Sequence, residues 1–325
     1  MAELVCFGEA LIDFLGEPDT GTGALCYRRY AGGAPANVAV AAARLGTATA
    51  FVGMFGQDAF GDFLLESLVT AGVDTRYAVR TDEANTALAF VSLDPTGDRR
   101  FSFYRPPAAD LLFRPGHFKP ECFAQARFFH VCSNSLTEAD IAATTLEGVR
   151  RARQAGALVS FDINLRPKLW HPETDPAPRI WSVLKEADVV KASAAELRFL
   201  IQGLGSEQQV LAELWRGRAQ WLLITDGSAP ARQFTRRGED ILPIFPVQAV
   251  NTTGAGDAFM GGLLSRLVLE KVEAANLDGF LADAGRMQRV LRFASACGAL
   301  SVQRHGAFEA MPTLPEVEAF LERQP

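Results

Sequence analysis

The stretch from Asn251 to Gly262, NTTGAGDAFMGG, places two glycines around an alanine and follows them directly with Asp257. A β-like run, DILPIFPVQAV, precedes it, and the following AFMGGLLSRLVLEKV has apolar residues at helical spacing. The pattern therefore predicts a sharp turn into a helix. The glycines let the backbone bend there, and small side chains let a ligand approach the N–H groups of the first turn, which have no partner inside a helix.

A helix N-terminus attracts phosphate, but Asp257 in the first turn would repel a phosphate held by the same amides. The conflict is resolved if the phosphoryl group is being transferred and Asp257 accepts the proton of the attacking hydroxyl. The alternative at this point is that Asp257 only stabilises the helix dipole. Other nucleotide motifs fit worse: the sequence has no glycine–lysine pair for a Walker A loop, and Phe259 stands where a GxGxxG fingerprint needs glycine.

The composition excludes several classes of protein. The chain has 325 residues, 48% of them hydrophobic, and no Pro/Ser-rich or like-charged linker, which favours one large α/β domain. A net charge of −6 and five scattered lysines predict no nucleic-acid partner. The N-terminus lacks the pattern of a signal peptide, and no run of about 18 apolar residues follows, so we expect a cytoplasmic protein with no membrane partner. Five cysteines without CxxC spacing and four dispersed histidines argue against a disulfide framework and a zinc site.

Strand-like and helix-like segments alternate along most of the chain. Strands are predicted at 3–8, 48–53, 127–132, 157–162, 187–191 and 220–225. Helices are predicted at 32–46, where Gly32 and Gly33 open the helix, and at 136–155, 194–202, 207–217, 255–270, 280–304 and from Pro315. This alternation predicts a parallel sheet covered by helices on both faces.

Two segments break the alternation. Residues 15–30 are rich in glycine and turns, and the core of 86–113, VSLDPTGDRRFSFYR, alternates polar and aromatic residues around a PTGD turn. Such alternation suits strands with one exposed face. We predict that about 15–30 and 86–113 form a small antiparallel β lid on a single domain spanning 1–325. The alternative is a hairpin with no role at a site.

Seven motifs spread over the chain match one known family. Two signatures carry the match, GGAPANVAVAAARLG at 32–46 and NTTGAGDAF at 251–259. The others are GEALIDF at 8–14, FSFYRPPAAD at 101–110, FDINLRPKLW at 161–170, ITDG at 224–227 and HGAFEAMPT at 305–313. The chain thus resembles the ribokinase-like (PfkB) carbohydrate kinases and, within them, the fructokinases. The resemblance implies a three-layer α/β/α sandwich with a mainly parallel central sheet and a small antiparallel β lid.

The resemblance also implies roles for individual residues. Asp257 matches the catalytic base, and the amides of Gly254, Ala255 and Gly256 match the anion hole for charge on the transferred phosphoryl group. The matching sugar-binding and phosphate-binding residues are Asp13, Gly32, Gly33, Asn37, Arg105, Asn164 and Arg166. The matching nucleotide-binding residues are Thr225, Gly227, Thr253, Gly256 and Ser295. Alternatives remain open, namely an ordinary strand-end cap for Asp13 and a solvated surface role for the two arginines.

Three positions depart from the family pattern. Asn251 replaces an aspartate that the family links to a monovalent cation, so activation by K⁺ stays open. The NxxE motif, linked to Mg²⁺ and its waters, is SAAE at 193–196, in which Glu196 keeps the charge and would meet Mg²⁺ through water. Ser295 stands where an asparagine often borders the adenine.

The sequence as a whole predicts a sugar kinase that transfers the γ-phosphoryl group of MgATP to the 6-hydroxyl of D-fructose. One alternative is a kinase for 2-keto-3-deoxygluconate or another ketose or riboside, since Arg105 could meet the carboxylate of a keto-acid. Another is a catalytically silent sugar-binding regulator on the same fold. The resemblance further implies a homodimer formed through the β lid, which would cover its edge strands.

Overall fold

The computed structural model describes residues 1–18, 25–93, 99–242 and 244–324. They form a nine-stranded sheet, called the central sheet, and a four-stranded sheet, called the small sheet. The strands are β1 (Leu4–Phe7), β2 (Leu11–Pro18), β3 (Leu25–Gly32), β4 (Thr49–Gly56), β5 (Asp74–Thr81), β6 (Leu88–Leu93), β7 (Arg99–Tyr104), β8 (Phe128–Cys132), β9 (Leu158–Asp162), β10 (Val189–Ser193), β11 (Trp221–Asp226), β12 (Ala229–Thr235) and β13 (Gly238–Leu242). The helices are α1 (Ala34–Arg44), α2 (Ala59–Thr70), α3 (Ala139–Gln154), α4 (Ala177–Leu184), α5 (Ala194–Leu204), α6 (Glu207–Arg216), α7 (Ala255–Leu269), α8 (Leu277–Ala282), α9 (Ala284–Ser301) and α10 (Leu314–Glu322).

The central sheet has the strand order β13-β12-β11-β10-β9-β8-β1-β4-β5. Every neighbouring pair from β11 to β5 is parallel, and β12 and β13 add an antiparallel edge. The strands that the sequence predicts are all present and all lie in the parallel part. The pattern does not predict β5 and β12, and the β-like run DILPIFPVQAV overlaps β13 only over 240–242. These strands lie near the two edges of the sheet, where polar residues interrupt the apolar run.

Successive residues of the parallel strands point to opposite faces of the central sheet. Leu4 and Cys6 belong to an apolar core formed with α1, α7, α8 and α9. Val5 and Phe7 belong to a second core, formed with α3, α4, α5 and α6 on the other face. The three-layer α/β/α class predicted from the sequence is therefore confirmed. No helix within the described ranges is long and apolar enough to cross a membrane.

Two predicted helices differ from the structure. The predicted helix 280–304 is divided between α8 and α9, because Asp283 has non-helical backbone angles and its side chain caps α9 by accepting a hydrogen bond from the Arg286 amide at 3.0 Å. The predicted helix 136–155 begins only at Ala139, since a 3₁₀ turn occupies Ser133–Leu136. Both differences lie at chain segments where a short polar residue offers the backbone an alternative partner.

The small sheet consists of two antiparallel hairpins, β2–β3 and β6–β7, joined through a parallel pairing of β2 with β6. The predicted segment 86–113 contains the hairpin β6–β7, whereas the predicted segment 15–30 covers only part of the hairpin β2–β3, which runs from Leu11 to Gly32. Asp13 therefore lies inside a strand of the small sheet, and the strand-end cap considered for it is wrong. The predicted PTGD turn is residues 95–98, which lie outside the described residues.

Hairpin β2–β3 is an insertion between β1 and α1. The chain leaves β1 through Gly8, with φ of 146°, and enters α1 through Gly33, with φ of 105°. A Cβ atom on Gly33 would lie 2.6 Å from the Ala10 Cα and the Glu9 carbonyl oxygen. Both the backbone angle and the lack of space require glycine at this point.

Candidate active site

A cavity of about 470 Å³ opens where the parallel strands of the central sheet end and the small sheet begins. Ligand sites of α/β proteins form at this carboxyl edge of the strands. Its walls are formed by residues from the two sheets, from the ends of α1 and α7 and from the loops between them: Glu9, Leu11, Asp13, Gly33, Ala34, Asn37, Phe103, Asn134, Asn164, Arg166, Leu169, Lys191, Ser193, Glu196, Thr225, Thr252, Thr253, Gly254, Ala255, Gly256 and Asp257.

The glycine-rich turn forms one end of this cavity. Gly254 adopts the left-handed conformation with φ of 78°, and α7 begins at the next residue, so the predicted sharp turn into a helix is confirmed. Among the described side chains, none caps this helix. Gly254, Ala255 and Gly256 all line the cavity, so the positively polarised end of α7 faces a space that a ligand can enter.

Asp257 is the carboxylate nearest to that helix end. It is 8% exposed, and its Oδ2 accepts a hydrogen bond of 2.7 Å from Asn37 Nδ2 on α1. Burial raises the pKa of Asp257 to about 6, against the lowering effect of the Asn37 hydrogen bond and of Lys191 and Arg166. A carboxylate with this pKa accepts protons near neutral pH, as a general base requires.

Asp13 and Gly33 line the cavity next to the small sheet, and Gly32 lies behind Asp13. Burial and the charge of Asp257 raise the pKa of Asp13 to about 7. A Cβ atom on Gly32 would lie 2.2 Å from Asp13 Oδ2, so Gly32 provides room for this carboxylate without lining the cavity itself. Two acidic groups with raised pKa values thus share one cavity, which is typical of functional sites.

Two buried residues that the motifs do not single out complete this part of the wall. Glu9 is 1% exposed, and its Oε1 accepts hydrogen bonds from the Ala34 amide at 3.1 Å and from Asn134 Nδ2 at 2.9 Å. Burial raises the pKa of Glu9, although Arg105 opposes the shift. Each of these residues comes shortly after a buried strand: Glu9 follows β1 within the GEALIDF motif, and Asn134 follows β8. A polar residue in that position is the sequence signal that could have identified them.

The amide oxygens of Asn37 and Asn134 are the clearest sign of the ligand's chemistry. Both side chains are buried, and each Oδ1 atom lacks a hydrogen-bond partner among the described residues. A buried acceptor without a donor costs about 1–3 kcal/mol. Both residues line the cavity, so the missing donors are expected from a ligand with several hydroxyl groups, such as a sugar, once the wall shifts enough to expose the two oxygens.

Arg105 does not lie over the cleft, and the predicted position is wrong. Its side chain is 1% exposed, and it donates from Nε and Nη2 to Asp110 Oδ2 at 2.9 and 2.5 Å. A buried arginine is retained only beside a partner of opposite charge, and Asp110 follows it by five residues in the same motif. Arg105 thus lies behind the cavity wall, where its charge acts on Glu9.

Arg166 and Asn164 lie at the cavity as predicted. Both follow β9, and the Arg166 side chain is exposed while Asn164 is 6% exposed. Asn164 has a positive φ of 39°, which is uncommon for a residue other than glycine. Such backbone strain often occurs at functional sites.

The predicted nucleotide-binding residues are divided between two places. Thr225, Thr253 and Gly256 line the cavity. Gly227 lies in the exposed turn between β11 and β12, outside the cavity wall. Ser295 lies on α9 and lines a separate cavity of about 250 Å³ with Phe245, Pro246 and Arg292, among others.

The predicted metal-binding residues are Glu196 and Asn251. The side chains of both accept hydrogen bonds from backbone amides. Glu196 lines the cavity, and its two carboxylate oxygens accept hydrogen bonds from the amides of Leu165 and Ser193 at 2.8 and 2.7 Å. Asn251 is buried, and its Oδ1 accepts a hydrogen bond from the Thr253 amide at 2.8 Å. Within the described residues, no group of three or more His, Cys, Asp and Glu side chains could hold a metal directly.

A family model described as pfkB family carbohydrate kinase matches residues 1–314. The chain belongs to this family. The pfkB kinases most similar to it include a fructokinase from Xylella fastidiosa with bound ATP, 52% identical with a TM-score of 0.96 over 100% of this chain and 99% of that one. Fructokinase-1 of Oryza sativa subsp. japonica is 40% identical over 98% of this chain and 97% of its own length. A fructokinase from Vibrio cholerae O395 in a form with bound fructose, ADP and calcium is 32% identical, with a TM-score of 0.86 over 99% of both chains.

The raised pKa of Asp257 predicts a pH-dependent effect on stability. The folded state holds this proton more tightly than the unfolded state, so stability is lost as pH rises from about 4 through about 6. Asp257→Asn removes the buried charge, and we expect it to raise Tm by roughly 2–4 °C at pH 8 and by much less at pH 4. Calorimetry at both pH values measures the effect. The exposed control Asp82→Asn should change neither Tm, and an equal gain for Asp257→Asn at both pH values would contradict the assignment.

Proposed function

We propose that this pfkB kinase is a fructokinase, which transfers the γ-phosphoryl group of MgATP to the 6-hydroxyl of D-fructose. One observation carries the proposal: a buried base, Asp257, lines the same cavity as the uncapped N-terminus of α7 and the amide side chains of Asn37 and Asn134. Hydroxyl recognition, proton acceptance and binding of phosphoryl charge therefore meet in one place. The similar structures with bound ATP, and with fructose and ADP, support this choice of substrates.

In the proposed reaction, the sugar lies between Asp13, Asn37 and the glycines of the first signature. The oxygen of the 6-hydroxyl forms a bond to the γ-phosphorus, its proton passes to Asp257, and the bond from phosphorus to the bridging oxygen of ADP breaks. The amides of Gly254, Ala255 and Gly256 hold the charge that develops on the phosphoryl oxygens. A positioned base is worth about 10²–10⁴ in rate.

The small sheet would act as the lid of a single kinase domain spanning residues 1–325. Leu11 and Asp13 of β2 and Phe103 of β7 form part of the cavity wall. A sheet that brings both apolar side chains and a sugar-binding carboxylate to the cavity would exclude water as it binds substrate. Exclusion matters because water could compete with the sugar as the phosphoryl acceptor.

Glu196 fits an indirect role with Mg²⁺. Each of its oxygens accepts one backbone hydrogen bond and keeps a lone pair, so the carboxylate is fixed in place and can accept a hydrogen bond from a metal-bound water. Mg²⁺ itself supplies neutralisation of charge on the nucleotide's phosphates, and it usually keeps several waters in proteins. The capping contacts of Glu196 thus serve both the start of α5 and the orientation of this water.

For the nucleotide, we propose that Thr225, Gly227 and Thr253 border the phosphates and ribose and that Ser295 borders the adenine. The cavity that contains Ser295 has apolar walls from Phe245 and Leu291, which suits a flat base. We also propose that the protein acts in the cytoplasm. K⁺ activation has less support, because the Asn251 oxygen already caps the turn at Thr253. If the role of Asn251 is to cap this turn, we expect equal turnover in potassium and in sodium buffers.

The position of Arg105 distinguishes the proposed acceptor from a sugar acid. Its guanidinium is held by Asp110 and is buried, so it does not offer a charge to the carboxylate of 2-keto-3-deoxygluconate. The side of the cavity proposed for the sugar instead offers Asp13 and the amides of Asn37 and Asn134, which suit a neutral ketose. The two cations of the wall, Arg166 and Lys191, are assigned to the phosphates. A catalytically silent regulator is distinguished by the reaction itself, since it would form no ADP.

A coupled assay of ADP release tests the proposal. The wild-type protein with MgATP is expected to be most active with D-fructose across a panel of ketoses, ribosides and keto-acids. Asp257→Asn is expected to lower kcat at least about 10²-fold while fructose still binds, because the hydroxyl loses its proton acceptor. ADP formation with no sugar of the panel would refute the kinase proposal. Near-normal turnover of Asp257→Asn would refute only the role of the base.

We further propose a homodimer formed through the small sheet. An aromatic cluster lies on this sheet: Phe90 contacts Phe14, Tyr27 and Tyr104 with ring centroids 4.9, 5.2 and 5.4 Å apart. Tyr27 is 41% and Tyr104 66% exposed, so a large aromatic surface faces solvent in the single chain. Exposed aromatic residues are enriched at protein interfaces.

Sedimentation analysis of the wild type and of Tyr104→Glu tests the dimer. We expect the wild type to sediment as twice the 35.2 kDa chain and the variant to shift toward the monomer, because a charge would be buried in the interface. Ile241→Glu, at a position 64% exposed on β13 of the central sheet, is the matched control and should remain dimeric. A monomeric wild type, or an unchanged Tyr104→Glu dimer, would refute this interface.

A further inference from the structure

The cavity contains a buried ammonium group that no motif marks. Lys191 lies on β10 near its carboxyl end, is 6% exposed, and lines the cavity. Its Nζ donates a hydrogen bond of 2.8 Å to Asp162 Oδ2 on the neighbouring strand β9, where the two residues pair directly. Burial of a lysine is costly without such a partner, so this pair is a specific feature of the site.

Lys191 lies against the anion hole. A Cβ atom on Gly256 would come within 2.6 Å of Lys191 Nζ, although Gly256 has an ordinary helical backbone that would accept alanine. Gly256 is therefore needed because a side chain there would occupy the space that the Lys191 ammonium fills. A lysine charge beside the positive end of a helix is unfavourable unless an anion lies between them or nearby.

Asp162 supplies only part of the negative charge that offsets the Lys191 ammonium. It is 1% exposed, its Oδ2 accepts from Lys191, and its Oδ1 has no hydrogen-bond partner among the described residues. Its charge, together with those of Glu196 and Asp257, raises the pKa of Lys191 despite burial, so the ammonium stays protonated. An ammonium has three donors, and the geometry leaves it able to contact a further anion in the cavity.

The other cationic side chain on the cavity wall, Arg166, differs from Lys191 in its exposure. Arg166 is exposed, whereas Lys191 is fixed by Asp162 on the rigid central sheet. Sites that stabilise developing charge need donors that are already in place before reaction. Lys191 has this property, and its ammonium lies beside Gly256 in the first turn of α7.

We propose that Lys191 is a catalytic residue whose ammonium contacts the phosphoryl oxygens during transfer, and that Asp162 is the positioning residue that holds it there. This inference rests on the proposed function, because it assigns a role in that phosphoryl transfer. No additional reactant is needed: the proton of the sugar hydroxyl still passes to Asp257 and ADP still leaves. Lys191 also favours the ionised form of Asp257, so it affects both partners of the reaction.

Kinetics of Lys191→Met test the proposal. We expect kcat to fall about 10²-fold, with the KM for fructose changed less than about threefold, because the lost contact forms mainly in the transition state. We also expect the acid limb of the kcat/KM profile to move to higher pH, since Asp257 loses a nearby positive charge. This shift reports the charge of Lys191 beside Asp257, and the fall in kcat reports its contact with the phosphoryl group, because a lysine with a purely structural role would leave kcat of the folded enzyme near the wild-type value. Lys185→Met removes an exposed lysine paired with Glu213 and should leave kcat, KM and the pH profile unchanged.

Asp162→Asn provides an independent variant of similar shape. It keeps the lysine but weakens its fixed position, and we expect a loss of kcat of about tenfold. If Lys191→Met does not fold, the kcat of Asp162→Asn alone tests the inference. Folded variants with kcat within threefold of the wild type would overturn the inference while fructokinase activity of the wild type stands. A wild type that phosphorylates no sugar would instead refute the proposed function, and this inference with it.

Discussion

The site depends on one constraint: a carboxylate and the N-terminus of a helix must face the same small space. The left-handed Gly254 turns the chain so that α7 points its free amides at the cavity. Asn37 then holds Asp257 by a hydrogen bond between α7 and α1. The two helices can approach closely because Gly261 lies where a Cβ atom would be 2.4 Å from Ala41 Cβ. Helix packing thus determines where the base lies.

Most charged side chains at and behind the cavity wall are buried and interact with one another. Glu9, Asp13 and Asp257 are acidic groups whose pKa values rise through burial, and Arg105 and Lys191 are cations buried nearby. Each cation has its own carboxylate partner, Asp110 or Asp162. These pairs fix the cations on either side of the cavity, so the site has a defined electrostatic pattern before any ligand binds.

The sequence predicted the parts of the site that depend on backbone conformation. The turn at Gly254 and the start of α1 after Gly33 both follow from where glycine must stand, and the buried strands follow from apolar runs. Partners that come from distant segments were harder to predict. The pairing of Arg105 with Asp110, the role of Lys191 beside Gly256 and the contact of Glu9 with Asn134 depend on side-chain packing across strands, which local patterns do not encode. Ser295 illustrates the same limit, because a position on a helix does not specify which cavity it faces.

The insertion of β2–β3 between β1 and α1 has a mechanical consequence. The hairpin joins the central sheet through Gly8 and Gly33, two residues whose positive φ values give a backbone that few other residues adopt. Rotation at these two glycines, with β6 and β7 moving along because β6 pairs with β2, would carry Asp13 as part of a rigid body while Asp257 and Asn37 stay fixed on their helices. Asp13, which faces the sugar, and Asp257, which faces its reacting oxygen, would then come together only when the hairpin closes. The complete site would thus form only when a substrate is present.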